Sequence, residues 1–220
     1  MYCQCYSQPM TAPDPVRDAA DAMVPVPARA QFPIEVTPPD GFNPDDLATW
    51  PDEPGRFEYV EGKLLYMPPC GFVQQVVTVD VVGVLHGWGL RHPEFFIGGN
   101  EAGMALGKDK RGADAVVWRR ADIDTATWGF LRVPPVLAVE VAGRYDTEAL
   151  LVEKARWYLS HGVAIVWVVL PETREVIVMR AERRLAQQAR YRVGDSLPAM
   201  PELPDLQPAV SDFFRQIESL

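Results

Sequence analysis

Residues 133–143 read VPPVLAVEVAG, a run that is apolar on both alternating faces except at Glu140. With a side-chain period of two, Leu137, Val139 and Val141 share one face of this strand, and Val136, Ala138 and Glu140 share the other. A strand apolar on both sides is a central strand covered by packed layers on both sides. Glu140 is therefore aimed at a packed layer. The preceding apolar stretch, ADAVVW at 113–118, sets Asp114, Val116 and Trp118 on one face with the acid near its start. An unpaired interior carboxylate costs on the order of several kcal/mol, so two acids on core strands call for a cation. Both acids are expected at one end of a sheet.

Downstream, EALLVEKARWYLSHG at 148–162 places Leu150, Lys154 and Tyr158 in one helical row, beside the row of Leu151 and Ala155. Lys154 thus sits on or next to the buried stripe. Such a lysine either carries its ammonium out along its aliphatic stem or reaches a carboxylate. An ion pair of the two acids with Lys154 or with an arginine is the plain structural reading of all three residues.

Periodicity supplies the surroundings. Phe57–Met67 reads as a strand pair turning at Glu61-Gly62. Apolar residues at 73, 76, 77, 81, 84, 85 and 88 predict a first core helix over 73–89. Strands are expected near 95–98, 101–106, 113–118 and 135–141. The lysine-bearing helix is expected over 147–161, with Gly162 closing it in the left-handed conformation. Two further strands, 164–170 and 175–181, are joined by Pro171-Glu172-Thr173-Arg174, and 212–218 form a short closing helix. Strand, helix and strand over 135–170 make a parallel crossover unit. The fold class is α/β, with a mixed α+β sheet.

The ordered series FEYVEGKLLYMPP, amphipathic helix, ADAVVW, LAVEVAG, EKARWYLSHGV, IVWVVLPET and GDSLPAMPELPDLQPAVSDFF resembles the Uma-type family of restriction endonucleases, a branch of the PD-(D/E)XK nuclease superfamily. The likeness runs from Phe42 to Phe214 and lies in the sum of the segments. It implies a restriction-endonuclease-like core, a central mixed sheet flanked by helices, and a Mg2+-dependent DNA endonuclease in which Mn2+ can substitute. Carried over by position, Asp114 matches the aspartate of the family's Pro-Asp pair, Glu140 the acid of its Val-Glu-Val strand, and Lys154 its helix lysine. Glu58, Glu61 and Glu101 match acidic positions of less defined role, and Tyr158 and Gln74 complete the accessory set. Asp114, Glu140 and the carbonyl of Val141 are hard oxygen donors of the kind Mg2+ takes. Lys154 would orient a water or stabilise charge on the phosphorane.

Several positions depart from the family pattern. Ala113 replaces the proline, Ala142 stands where the superfamily's usual lysine lies, and Gln74 stands where many relatives have histidine. Ala142-Gly143-Arg144 replaces a serine-proline-serine turn, and Leu170 replaces an aspartate. These departures admit an alternative, a catalytically impaired nuclease-fold module that binds nucleic acid or protein. On the catalytic reading, substitution of Glu140 or Lys154 is expected to abolish cleavage and leave the melting temperature almost intact.

Composition bounds the remainder. The 220 residues suit one domain over 42–220 behind a Pro-rich, acidic extension at 1–41, expected to be poorly ordered. No apolar run is long enough for a membrane span, so a cytoplasmic protein with no membrane partner is expected. Cys3, Cys5 and Cys70 suggest neither a disulfide framework nor a zinc site. The net charge of -9 is concentrated before Phe57, where nine acidic residues face three basic ones. In the rest, Lys108, Lys110, Arg111, Arg119 and Arg120 bracket Asp114, and Arg180, Arg183, Arg184, Arg190 and Arg192 cluster near a hairpin. Either group is a candidate DNA contact or a solvated face. A homodimer is expected, since cutting two strands takes two sites. GMALGKD lacks the spacing of a phosphate loop, and Ser160-His161 has no third member for a nucleophile set.

Overall fold

The computed structural model describes residues 32–219, apart from Arg183 and Arg184 and from the side chains of Asn100, Glu101, Glu182, Leu185 and Ala186. Most of the expected extension, with Cys3 and Cys5, lies outside the described residues. The strands are β1 (Ile34–Val36), β2 (Arg56–Val60), β3 (Lys63–Met67), β4 (Phe95–Leu106), β5 (Asp109–Arg119), β6 (Leu137–Val141), β7 (Ile165–Leu170), β8 (Glu175–Glu182) and β9 (Leu185–Arg192). Among the described residues the α-helices are α1 (Phe72–Gly89) and α2 (Glu148–Ser160).

All nine strands join one mixed sheet in the order β1-β3-β2-β5-β6-β7-β8-β9, with β4 also paired to β5. The β6–β7 pair is parallel and is bridged by α2, as the crossover reading expects. The β2–β3 hairpin turns at Glu61 and Gly62, whose φ values of 51° and 83° are those of a two-residue turn that follows the strand twist. Ile34–Val36, which the sequence places in the extension, adds to β3 as an antiparallel edge strand.

The two helices cover opposite faces of the sheet for the reason the strand pattern gives. Leu137, Val139 and Val141 pack with Val77, Val81 and Leu85 of α1. Ala138 packs with Leu151, Ala155 and Tyr158 of α2. Thr147 caps α2 by accepting from the Leu150 amide at 3.3 Å, and Gly162 follows with φ of 94°.

Three expectations are corrected. The strands expected at 95–98 and 101–106 are one strand, β4, with a register shift between Gly99 and Ala102. A Cβ on Gly98 would lie 2.7 Å from both Trp118 and Val116, so glycine lets β4 cross these side chains. Beyond β8 the run 185–192, LAQQARYR, is a ninth strand, whose apolar residues are too few and too weakly alternating to announce it. The closing helix is two short 3-10 turns, Val210–Phe213 and Arg215–Ile217.

Candidate active site

Strand parity and register bring the two acids together. The β5–β6 register pairs Ala115 with Val139, Val116 with Ala138 and Val117 with Leu137. Continued by one step, it sets Asp114 across from Glu140. Val116, Trp118 and Ala138 on that face pack beneath α2, so both carboxylates also lie on the side that α2 covers. Both are buried, at 6% and 3% exposure. Backbone pairing gives way at this step, and the Val141 amide donates to Asp114 Oδ2 at 2.7 Å.

The sheet forks here. One edge of β5 is occupied by β4 along its length, so β2, which meets β5 at Tyr59 and Lys110, must share the other edge with β6. Arg111 to Asp114 lie in the notch between them. A buried backbone group without a partner is costly, and side chains fill that role. The Gly112 amide donates to Glu58 Oε1 at 3.3 Å, and its carbonyl accepts from Lys154 Nζ at 2.9 Å. The Tyr158 hydroxyl lies 3.0 Å from the same carbonyl.

Lys154 does not run out to solvent. Its three ammonium hydrogens meet three acceptors: Glu58 Oε1 at 2.8 Å, Glu140 Oε2 at 3.0 Å and the Gly112 carbonyl at 2.9 Å. Tyr158 Oη stands 2.7 Å from the other oxygen of Glu140. Two arginines complete the cluster. Arg56 Nη1 lies 3.3 Å from Asp114 Oδ1, and Arg111 Nε lies 3.6 Å from Glu58 Oε2 while its guanidinium stacks over Trp157 at 4.8 Å.

Burial pushes the Glu140 carboxyl up to about 7 against the pull of Lys154, with the charges of Asp114 and Glu58 adding to the rise. Burial also raises Asp114, outweighing Arg56 and the Val141 amide. Burial works to lower Lys154, but the Glu140 and Glu58 carboxylates outweigh it and hold the amine above its ordinary value. Burial works to raise Glu58, yet Lys154 and Arg111 keep it below the usual carboxylate range. Burial and the Glu140 charge raise Tyr158 well above its usual range, so its phenol keeps its proton. Asp114, Glu140 and Lys154 all hold protons more firmly than usual, the two acids through burial and the amine through its carboxylate neighbours.

Of the expected site residues, Asp114, Glu140, Lys154, Glu58 and Tyr158 converge. Gln74, buried in the first turn of α1, donates to the Val141 carbonyl at 3.0 Å and so braces β6 beside the acids. Glu61 is not among them, because it sits exposed on the β2–β3 turn, where its amide donates to Asp109. Glu101 lies at the β4 register shift, and its side chain is outside the described residues. Sequence reasoning missed Arg56, although it precedes Glu58 by two residues and therefore shares its face of β2. It also missed Asp146, which accepts from the Gly143 amide at 2.8 Å and closes the turn after β6. Part of the basic clusters is committed to acids. Arg180 pairs with Glu202, Arg190 with Glu175 and Glu148, Arg192 with Glu175, and Lys110 with Asp45. Arg183 and Arg184 lie outside the described residues.

Among the described residues no three His, Cys, Asp or Glu side chains gather closely enough to cage a metal. What the notch offers is two carboxylates and the Val141 carbonyl, a hard-oxygen set that could hold a small divalent cation supplemented by water and substrate oxygens. The donor chemistry fits such an ion. Among the described residues no helix is long and apolar enough to cross a membrane.

A family model described as "Uma2: Putative restriction endonuclease" matches residues 44–211, well over half of the chain. The fold is also similar to the crystal structure of a putative nuclease belonging to DUF820 from Anabaena variabilis, with a TM-score of 0.68 at 16% identity over 79% of this chain and 98% of that one. None of the curated proteins matches the chain.

Proposed function

Because the chain belongs to the Uma2 family of putative restriction endonucleases, whose description supports a nuclease function, we propose that it is a Mg2+-dependent endonuclease that hydrolyses DNA phosphodiester bonds at the β5–β6 notch. The observation that carries the reading is the buried convergence of Asp114, Glu140 and Lys154 from β5, β6 and α2. Asp114, Glu140 and the Val141 carbonyl would hold the ion, and Mn2+ offers the same hard-oxygen preference. When bound, the ion supplies Lewis acidity at the phosphate and lowers the pKa of a bound water.

The remaining work falls to the side chains. Lys154 is fixed by Glu58 and the Gly112 carbonyl, so a phosphate oxygen or attacking water that competes with Glu140 for its third hydrogen meets a donor already in place. A pre-placed donor of this kind contributes about 3 kcal/mol to barrier lowering. Tyr158 steadies Glu140 through its hydroxyl, and Gln74 steadies the Val141 carbonyl. Cleavage of both strands of a duplex takes two such sites, so the active form on this reading is a homodimer.

One observation favours a second reading. Arg56 pairs with Asp114 and Arg111 lies beside Glu58, so three basic groups balance three acids without a metal. That arrangement suits a nuclease-fold module that binds without cutting. The deciding experiment is cleavage of plasmid and single-stranded DNA with Mg2+, with Mn2+ and with chelator, using the wild type and Glu140→Gln. Metal-dependent nicking by the wild type that Glu140→Gln abolishes is the expected result, and equal products from both proteins would defeat the catalytic assignment.

A further inference from the structure

Next to the acid cluster, the 47–57 segment and Phe130 enclose a cavity of about 230 Å³. Its lining includes Arg56, Glu58 and Gly112, all three of them members of the notch, together with the rings of Trp50, Phe57 and Phe130. A strand whose phosphate lies at the notch therefore brings a neighbouring base within reach of this cavity.

The walls describe the ligand. Trp50 and Phe130 stand 5.5 Å apart between ring centroids and offer flat apolar surface. Gly103 and Gly112, paired across β4 and β5, contribute backbone alone to the lining and leave room above it. The Trp50 indole N–H is buried and has no acceptor among the described residues. A buried donor without a partner is costly, so a shift of the indole that brings its N–H to a ring nitrogen or exocyclic oxygen of a flat ligand would be favoured. The volume falls below the roughly 300–1,000 Å³ of pockets that take a whole small molecule, which suits a single heterocycle.

We infer that this cavity is a nucleobase subsite, seating one unstacked base of the strand whose phosphate occupies the notch. The inference rests on the nuclease reading and deepens it. A base held in a duplex stack cannot enter such a cavity without being extruded, so the subsite selects single-stranded or locally opened DNA. Stacking on aromatic rings is tolerant of base identity, so the selection is for an accessible base and not for a sequence.

The test measures binding of the full chain to three fluorescein-labelled probes by anisotropy, in chelator and again with Ca2+: a short single strand, the same strand built wholly of abasic sites, and the matching duplex. The wild type is expected to bind the single strand about tenfold more tightly than the abasic strand, with the duplex weaker than the single strand. Phe130→Ala should lose about tenfold on the base-bearing strand and nothing on the abasic one. Trp50→Phe, which keeps an aromatic ring while removing the N–H and part of the indole surface, guards against a folding defect and should show a smaller loss confined to the same probe. Equal binding of base-bearing and abasic strands, or equal loss on both in the variants, overturns the subsite while the nuclease reading stands on its own cleavage assay. Failure of all three probes to bind removes both.

Discussion

Lys154 is the residue on which chemistry and stability meet. Each hydrogen of its ammonium is met by a buried acceptor, two of them carboxylates. Removing one partner of a buried charge group leaves the others uncompensated, at a cost of about 3–5 kcal/mol. Urea denaturation should therefore show Lys154→Ala destabilised by that amount, with Glu140→Gln closer to wild type because the glutamine carbonyl still accepts from Lys154 while its NH2 faces the Tyr158 oxygen, whose hydroxyl then donates to the Gly112 carbonyl. The separation of activity from stability expected from sequence thus applies to Glu140→Gln and not to Lys154→Ala. A Lys154→Ala protein as stable as wild type would show that the ammonium is not held as described. Asp114, Glu140 and Lys154 were legible because strand parity and helical period fix which way a side chain points. Glu58 entered only through family likeness, since an acid on a short strand beside an exposed turn looks the same whether it is buried or not.

At the scale of the element, the β8–β9 ribbon shows what periodicity cannot see. Its outer strand mixes polar and apolar residues and is held at one end by Glu175, which receives Arg190 at 2.6 Å and Arg192 at 2.8 Å. Arg190 also reaches Glu148 in the first turn of α2 at 2.5 Å. Such pairs are written in residues far apart along the chain, which is why the arginines read equally well from sequence as a phosphate-binding face. The hydrogen bonds from Arg190 and Arg192 outweigh the opposing effect of burial and hold the Glu175 carboxyl below its ordinary 4.5. A depressed carboxylate contributes stability that is complete above its unfolded value and is lost as pH falls through the folded one. The melting-temperature gap between wild type and Glu175→Gln should therefore be widest near neutrality and close in strong acid. A gap that is constant with pH would mean that these pairs contribute nothing.

For the molecule as a whole, charge sets the terms on which DNA would be met if the proposed function holds. The chain carries -9 overall, and Arg180, Arg190, Arg192 and Lys110 are already paired with acids. Few counterions are then displaced on binding. With about -0.9 in the logarithmic salt slope for each phosphate neutralised, the slope for this protein should be shallower than about -3 in anisotropy titrations across a salt series. A much steeper slope would show that the arginine ribbon breaks its pairs to engage the backbone. The order of the central strands and helices was readable because β5, β6, α2 and β7 are strongly apolar or strongly periodic. The forked edge of β5 was not, because nothing local in a strand states which neighbours it will have. That fork carries a lesson about inheritance. Glu58, Lys154 and Tyr158 complete hydrogen bonds that the diverging strands leave open at Gly112, so selection for folding alone would keep them. On the nuclease reading, descendants that no longer cut would still display most of the apparatus.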